Sequence, residues 1–120
     1  MSQKLEEVKW RSVCPVSCAL DVVGDKWSLL ILRDLLLKGD QTFTQFLESP
    51  ERISTNILTS RLNKLRECGL IQRGQSSSKR KGAYSLTPVG KDFEGVIRAL
   101  GVWSSKHLHA HHPEMYTFSE

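Results

Sequence analysis

The chain has 120 residues, of which 39% are hydrophobic and 25% charged, with a formal net charge of +4. This is enough for one domain with a modest core, and the composition is that of a folded protein rather than a disordered one. The longest apolar stretch, WSLLIL, is too short to span a membrane, and the amino terminus MSQKLEEVKW has no apolar signal-peptide core. We therefore expect a cytoplasmic protein without a membrane partner. Three cysteines without disulfide-framework spacing fit a reducing compartment.

The first third of the chain predicts two helices in sequence. A short helix is expected over residues 17–23, ending at Gly24, and a longer one from Asp25, an N-cap, to Gly39. Because the longer helix is apolar on nearly every side, we expect it to be the buried central helix. The dipeptide Asp40-Gln41 then predicts a turn.

Two further helices follow this turn. Thr42 is expected to cap a short helix that contains Phe43, Phe46 and Leu47, and Ser49-Pro50-Glu51 breaks it. Ser54 then caps a helix that extends to about Glu67.

The remainder of the chain predicts a β-hairpin and two more helices. Strands are expected at residues 70–73 and 83–87, on either side of the polar run GQSSSKRKG. Thr87 and Pro88 begin the next helix, and Gly101 opens a final helix that ends around Pro113.

Charge is strongly segregated along the chain. Residues 52–82 contain eight Lys or Arg against one acid, whereas the other 89 residues have a net charge of −3. Such segregation is typical of a protein that binds a polyanion, although a merely solvated basic face would give the same pattern.

The helix after Ser54 has two different faces on a helical wheel with roughly 100° per residue. One arc carries the apolar residues Ile57, Leu58, Leu62 and Leu65. The opposite arc carries the short polar residues Asn56, Thr59, Ser60 and Asn63. Asn can pair in bidentate fashion with adenine, and Ser and Thr hydrogen-bond several bases. A short helix, a tight turn, this polar-faced helix and a basic hairpin together predict a winged helix-turn-helix that reads double-stranded DNA.

The candidate DNA-contacting residues form three groups. In the recognition helix they are Ser54, Thr55, Asn56, Thr59, Ser60, Arg61, Asn63, Lys64 and Arg66; in the wing they are Lys79, Arg80 and Lys81; in the first helix of the motif they are Thr42, Thr44 and Gln45. The basic residues suit phosphates and the polar ones suit base edges. Structural alternatives stay open, since Thr42 and Ser54 can serve only as caps and Arg61 as an intramolecular ion-pair partner.

Several separated motifs resemble the HxlR family of bacterial winged-helix, MarR-like transcription regulators. The matching runs are CPVSCALDVVGDKWSLLILRDLL, FTQF, ISTNILTSRLNKLRECGLIQR and AYSLTPVGKDF, within residues 14–112. The wing departs from the family, because it is rich in Ser and Lys where many relatives carry proline and acidic residues. The resemblance implies a mainly α fold with a small β-hairpin, and a homodimer built by the amino-terminal segment and the last helix. It also implies a near-palindromic operator.

The resemblance also singles out Cys14, which matches an amino-terminal cysteine that acts as a redox or electrophile sensor in some members. A cysteine near a helix N-terminus has a lowered pKa, so Cys14 is the redox-sensing candidate. The alternative is a half-buried interface residue without a signalling role. Cys18 and Cys68 are expected to be small core residues.

No enzymatic activity, cofactor or metal site is expected. His107 and His111 are four residues apart, so both could face one metal ion on a helix, but no carboxylate or cysteine lies nearby in sequence. The sequence contains no phosphate-binding loop, and no Ser-His-Asp set can be argued from residue order alone. The only nucleophile and base that can be paired are Cys14 and a histidine of the tail, and we do not expect them to form an active site.

We therefore interpret the chain as a dimeric regulator that binds a specific operator, with either sign of regulation and with a small-molecule or oxidant effector left open. Its expected organisation is an arm over residues 1–13, a DNA-binding domain over 14–112 and a tail over 113–120. The alternative is a winged helix used as a protein-interaction module without specific DNA binding.

Overall fold

The computed structural model describes residues 3–74 and 81–119. In chain order the elements are α1 (Gln3–Glu7), α2 (Pro15–Val23), α3 (Lys26–Lys38), α4 (Phe43–Leu47), α5 (Thr55–Glu67), β1 (Ile71–Arg73), β2 (Tyr84–Leu86), α6 (Pro88–Lys91), α7 (Glu94–His107) and a 3-10 turn (His109–His111). The mainly helical fold with one small hairpin is as predicted. Within the described ranges, no helix is long and apolar enough to cross a membrane.

Side-chain caps fix where the helices begin. Asp25 accepts a hydrogen bond from the N–H of Ser28 at 3.0 Å, and Ser54 accepts one from the N–H of Ile57 at 3.2 Å. Thr42 and Gln45 form a reciprocal capping box, each side chain accepting the backbone N–H of the other residue. The predicted N-caps are confirmed, and each satisfies amide groups that the first helical turn leaves without an internal partner.

Helix α3 lies at the centre of the domain, as predicted, and packs against α2, α5, α7 and β2. The largest fully buried side chains come from three helices: Leu32, Phe46, Leu58, Leu62 and Leu65. Each buried leucine contributes roughly 1.5–3 kcal/mol relative to an exposed one. Since three of them belong to α5, the core fixes which face of that helix is left outside.

A network of charges joins α3 to the turn that precedes α5. The Arg33 guanidinium donates to both carboxylate oxygens of Glu51, at 2.6 and 2.9 Å, and to Asp34 at 2.7 Å. Asp34 is buried and also accepts a 2.5 Å hydrogen bond from the Ser49 hydroxyl. The hydrogen bonds from Arg33 lower the pKa of Glu51. The turn between α4 and α5 is therefore held to the central helix by charge-assisted hydrogen bonds.

The hairpin is antiparallel, with Ile71 opposite Leu86 and Arg73 opposite Tyr84. The prediction of a simple turn at Asp40-Gln41 was wrong for Gln41. Its N–H donates to the Tyr84 carbonyl at 3.1 Å and its carbonyl accepts from the Tyr84 N–H at 2.7 Å, so Gln41 extends the sheet by one bridge. The sequence could not predict this pairing, because a strand is recognised by an alternation of apolar and polar residues and a single residue shows none.

The prediction of a helix boundary at Gly101 was also wrong. The boundary lies at Asp92-Phe93, between α6 and α7, and Gly101 is in the interior of α7. A Cβ at Gly101 would lie 2.5 Å from the Phe118 ring. The glycine is therefore required by the close approach of the C-terminal segment rather than by a helix end.

Helix α1 was not predicted, because residues 1–13 were expected to form an arm. It packs against α5, and Leu5 contacts the hydrophobic core. The amino-terminal end thus supports the recognition helix of its own chain.

Candidate nucleic-acid interface

Helix α5 presents its predicted polar arc to solvent. Leu58, Leu62 and Leu65 are buried, which leaves the opposite face exposed: Asn56, Thr59, Ser60 and Asn63, together with Ser54, Thr55 and Arg66. Asn56 and Asn63 are seven residues apart, close to two helical turns or about 10 Å. An exposed helical face of short hydrogen-bonding side chains suits entry into a major groove.

Two of the candidate basic residues point back toward the protein. Arg61 Nε donates to Asp25 Oδ2 at 2.8 Å, and Lys64 Nζ donates to the Asp21 carbonyl at 3.4 Å. Partial burial opposes ionisation of Asp25, but hydrogen bonds from Ser28 and Arg61 outweigh it and lower the pKa of Asp25. Arg61 therefore forms the intramolecular ion pair that the sequence analysis gave as its alternative role. Arg66 is the exposed cation of this helix.

In the first helix of the motif, fewer of the predicted side chains are available to contact DNA. Thr42 and Gln45 use their side chains in the capping box, and the same bonds occupy their backbone N–H groups. Thr44 is the exposed member of the three. The capping box thus occupies two of the four N–H groups at the start of α4, those of Thr42 and Gln45.

The structure describes the two ends of the wing. Lys81 is exposed, whereas the predicted contacts Lys79 and Arg80 lie outside the described residues. Arg73 was not proposed as a site residue, and it stacks over the Tyr84 ring at 5.2 Å and donates to the Gly82 carbonyl at 3.1 Å. Arg73 therefore stabilises the base of the wing.

Arg52 was counted in the basic segment but was not proposed as a site residue. It lies in the turn between α4 and α5, is exposed, and has a left-handed φ of 62°. Left-handed backbone at a non-glycine residue is uncommon and was not readable from the sequence. It places a cation two residues before the cap of the recognition helix.

Cys14 is the N-cap residue of α2 and is exposed. The backbone N–H groups of Ser17 and, to a smaller extent, Val16 stabilise the thiolate and so lower the pKa of Cys14. The Cys14 side chain does not form a capping hydrogen bond with α2. Cys18 is half-buried and its thiol donates to the Ser12 carbonyl at 3.5 Å, while Cys68 is buried as predicted. A lowered pKa and exposure are the properties of a reactive thiol.

The C-terminal histidines do not converge on one point. In the part of the chain that the structure describes, no group of three or more His, Cys, Asp or Glu side chains is placed to hold a metal ion. His107 instead lies beside Trp103, with ring centroids 5.3 Å apart.

A capped recognition helix held in a small helical core, followed by a basic hairpin, defines a winged helix-turn-helix protein. Residues 22–112 match the HxlR-like helix-turn-helix family, and the chain belongs to that family. The relatives that it matches are named as transcriptional regulators of the helix-turn-helix type.

Two relatives illustrate this similarity. The helix-turn-helix transcriptional regulator sll1512 of Synechocystis sp. is 35% identical over 89 residues, which cover 73% of this chain and 65% of that protein. The chain thus spans just under two thirds of that relative's length. The regulator YdeP of Bacillus subtilis is 34% identical over 95 residues, covering 78% of this chain and 73% of YdeP.

Solved structures agree with this assignment. The transcription factor PA1607 is 32% identical with a TM-score of 0.75, covering 92% of this chain and 75% of PA1607. The oxidised redox regulator HypR is 28% identical with a TM-score of 0.68, covering 78% of this chain and 97% of HypR. Quinone-bound YodB of Bacillus subtilis is 26% identical with a TM-score of 0.62, covering 78% of this chain and 99% of YodB.

Proposed function

We propose that this protein acts as a homodimer that binds a near-palindromic operator in a sequence-specific manner. The observation that carries the proposal is the exposed polar face of α5, which three buried leucines fix in orientation. The basic segment adds the exposed cations Arg52, Arg66 and Lys81. Phosphate contacts from the cations would set the register, and the Asn, Ser and Thr side chains would read base edges.

The proposed dimer is supported by two exposed apolar surfaces. One runs along the segment before α2 and along α2 itself: Trp10, Val13, Val16 and Leu20. The other lies on α7, at Val96 and Trp103, outside the groove described below. Contiguous exposed apolar side chains of this size mark interaction surfaces in folded proteins. A second copy of the chain would cover both and place two recognition helices about one helical turn of DNA apart.

The test is a selection from a random duplex library at two salt concentrations, with the bound DNA sequenced. We expect a palindromic motif and an affinity that falls steeply with salt, because phosphate contacts release counterions. Salt-sensitive binding without sequence enrichment would contradict specific recognition. Absence of any duplex binding would favour the protein-interaction alternative.

The wing is tested by replacing Lys79, Arg80 and Lys81 with alanine. Binding to all sequences should weaken alike, and the salt dependence should flatten by roughly one phosphate contact for each cation removed. A matched control replaces Lys106, Lys91 and Arg98, which are exposed cations on α6 and α7. If both triple variants reduce the salt dependence equally, the wing does not bind the backbone.

We further propose that oxidation of Cys14 changes operator affinity. The support is its exposed position at the start of α2 with a lowered pKa, together with the similarity to HypR and YodB. Hydrogen peroxide would convert the thiolate to a sulfenic acid and release hydroxide. We expect peroxide to shift operator affinity in the wild type and not in Cys14→Ser. An unchanged response in Cys14→Ser, with the response lost in Cys68→Ser, would assign the sensor elsewhere.

A further inference from the structure

A groove of about 450 Å³ lies between α3, α7 and the C-terminal segment over residues 113–119. Its walls are mainly apolar, with Leu29 and Leu30 from α3, Ile97 and Leu100 from α7, and Met115 and Phe118 from the C-terminal segment. Pockets that bind small organic molecules have about this volume and this kind of lining. The groove is separate from the polar face of α5.

The C-terminal wall of the groove is held by specific contacts. The N–H of Phe118 donates to the Ser105 hydroxyl at 2.8 Å, and that hydroxyl donates to the Gly101 carbonyl at 2.8 Å. The Phe118 ring fits against α7 because Gly101 has no side chain. These contacts bring the segment back over the helix, so the groove has three walls rather than being one exposed helix face.

The charges around the groove indicate what it would accept. Arg33 lines it, but its guanidinium already bonds Asp34 and Glu51, so its charge is matched. Glu114 also lines the groove and would repel an anion. A neutral molecule with a flat apolar body meets the Leu, Ile, Met and Phe walls without leaving a charge unpaired.

We propose that this groove binds a neutral, mainly aromatic small molecule of about two fused or linked rings. Leu29 and Leu30 lie one turn beyond Asp25 on α3, and Asp25 bonds Arg61 of α5 at 2.8 Å. A ligand that shifts α3 relative to α7 therefore acts on an element in direct contact with the recognition helix. The role as an effector site rests on the proposed DNA-binding function, whereas the binding itself does not.

The test is a fluorescence titration of the full chain with N-phenyl-1-naphthylamine, a neutral aromatic probe that brightens in apolar surroundings. We expect saturable binding of one probe per chain. Ser104→Phe puts a ring into the groove and should weaken binding at least about tenfold, or ~1.4 kcal/mol. Ala99→Phe adds the same ring on the exposed side of α7, away from the groove, and should leave the affinity unchanged.

A second variant guards against misfolding of Ser104→Phe. Tyr116→Ala removes an exposed side chain from the groove wall and should weaken probe binding with an unchanged circular dichroism spectrum. The proposal is overturned if the wild type shows no saturable binding, or if Ala99→Phe loses as much affinity as Ser104→Phe. It is also overturned if light scattering shows that Ser104→Phe dissociates a dimer while the wild type takes up no probe, since a second copy then fills the groove.

Operator binding is measured in parallel with and without the probe. Saturable probe binding by a chain that does not bind DNA would refute the proposed function and leave the ligand site intact. Operator binding by a chain that takes up no probe would refute the ligand site and leave the proposed function intact. A shift in operator affinity with probe, lost in Ser104→Phe, supports both.

Discussion

Asp25 combines a helix cap and an ion pair in one side chain. Asp25→Asn keeps the cap, because asparagine caps helices as well as aspartate, but removes the charge that holds Arg61. We expect a loss of about 0.2–1 kcal/mol of unfolding free energy at pH 7, the range of partly exposed ion pairs. The measurement is urea denaturation, with Asp92→Asn as the control because Asp92 is exposed.

The same variant gives a pH dependence with a defined sign. The folded state lowers the pKa of Asp25, so its stabilisation is complete above the unfolded pKa, about 3.9, and is lost as the pH falls through the folded value. The difference between wild type and Asp25→Asn should therefore be constant near neutrality and vanish well below pH 4. A difference that persists at low pH would show that the cap, and not the ion pair, was disturbed.

Individual residues differ in how far the sequence determined their roles. Ser54, Thr42 and Asp25 were predictable as caps because a short polar residue just before an amphipathic repeat is the usual sequence signal of an N-cap. The pairing of Arg61 with Asp25 spans 36 residues and depends on how α5 packs against α3, which no local pattern contains. The left-handed φ of Arg52 occurs in the turn that Arg33 and Glu51 hold to α3, and no local sequence pattern indicates it either.

Under the proposed function, the exposed face of helix α5 would determine the base preference. Asn56→Ala and Asn63→Ala should each reduce the preference for the selected operator by about 1–3 kcal/mol where a bidentate contact with a base is lost. Because both side chains are exposed, thermal unfolding should be unchanged. Asn63→Ala and Asn56→Ala are compared with Thr117→Ala, an exposed polar position in the C-terminal segment. Equal operator selectivity in all three variants would show that this face of α5 does not read bases.

Substitutions of Gly90 in α6 and Gly95 in α7 have opposite expected effects on stability. In Gly90→Ala the new Cβ would lie 2.1 Å from the Leu70 carbonyl oxygen, a backbone atom that cannot move aside, so we expect a loss of about 1–3 kcal/mol. Gly95 has open space around it and helical backbone, so Gly95→Ala should stabilise the protein by about 0.4–1 kcal/mol. Urea denaturation of the two variants checks both signs. Equal destabilisation would mean that Gly90 does not lie against the Leu70 carbonyl as the structure shows.

The elements were predictable where their amphipathic repeat was long. The buried arc of α5 followed from Leu58, Leu62 and Leu65, and the core confirms it. Near Gly101 the sequence was misleading, because a glycine marks a helix end or a close contact equally well. The contact is with Phe118, seventeen residues away, and nothing local to Gly101 reveals it.

For the whole molecule, charge and apolar surface are arranged on different parts of the chain. The net positive segment over residues 52–82 contains α5 and the wing, whereas the two exposed apolar surfaces lie before α5 and on α7. The charge asymmetry was visible in the sequence. The apolar surfaces were not, because exposure is decided by which helices α3 contacts. This separation would leave the DNA-facing surface free when two copies associate.

Trp103 and Leu20 provide the test of that association. Trp103→Glu or Leu20→Glu puts a charge on an apolar surface that we propose is buried between two copies, and burying an unpaired charge is strongly unfavourable. We expect light scattering to show a dimer for the wild type and the 13.6 kDa single chain for both variants. Leu37→Glu is the control, because Leu37 is equally exposed but belongs to neither surface. A dimer that survives both substitutions, or that Leu37→Glu disrupts as readily, would place the interface elsewhere.

Operator affinity should fall when the dimer dissociates, since one recognition helix alone contacts only one half-site.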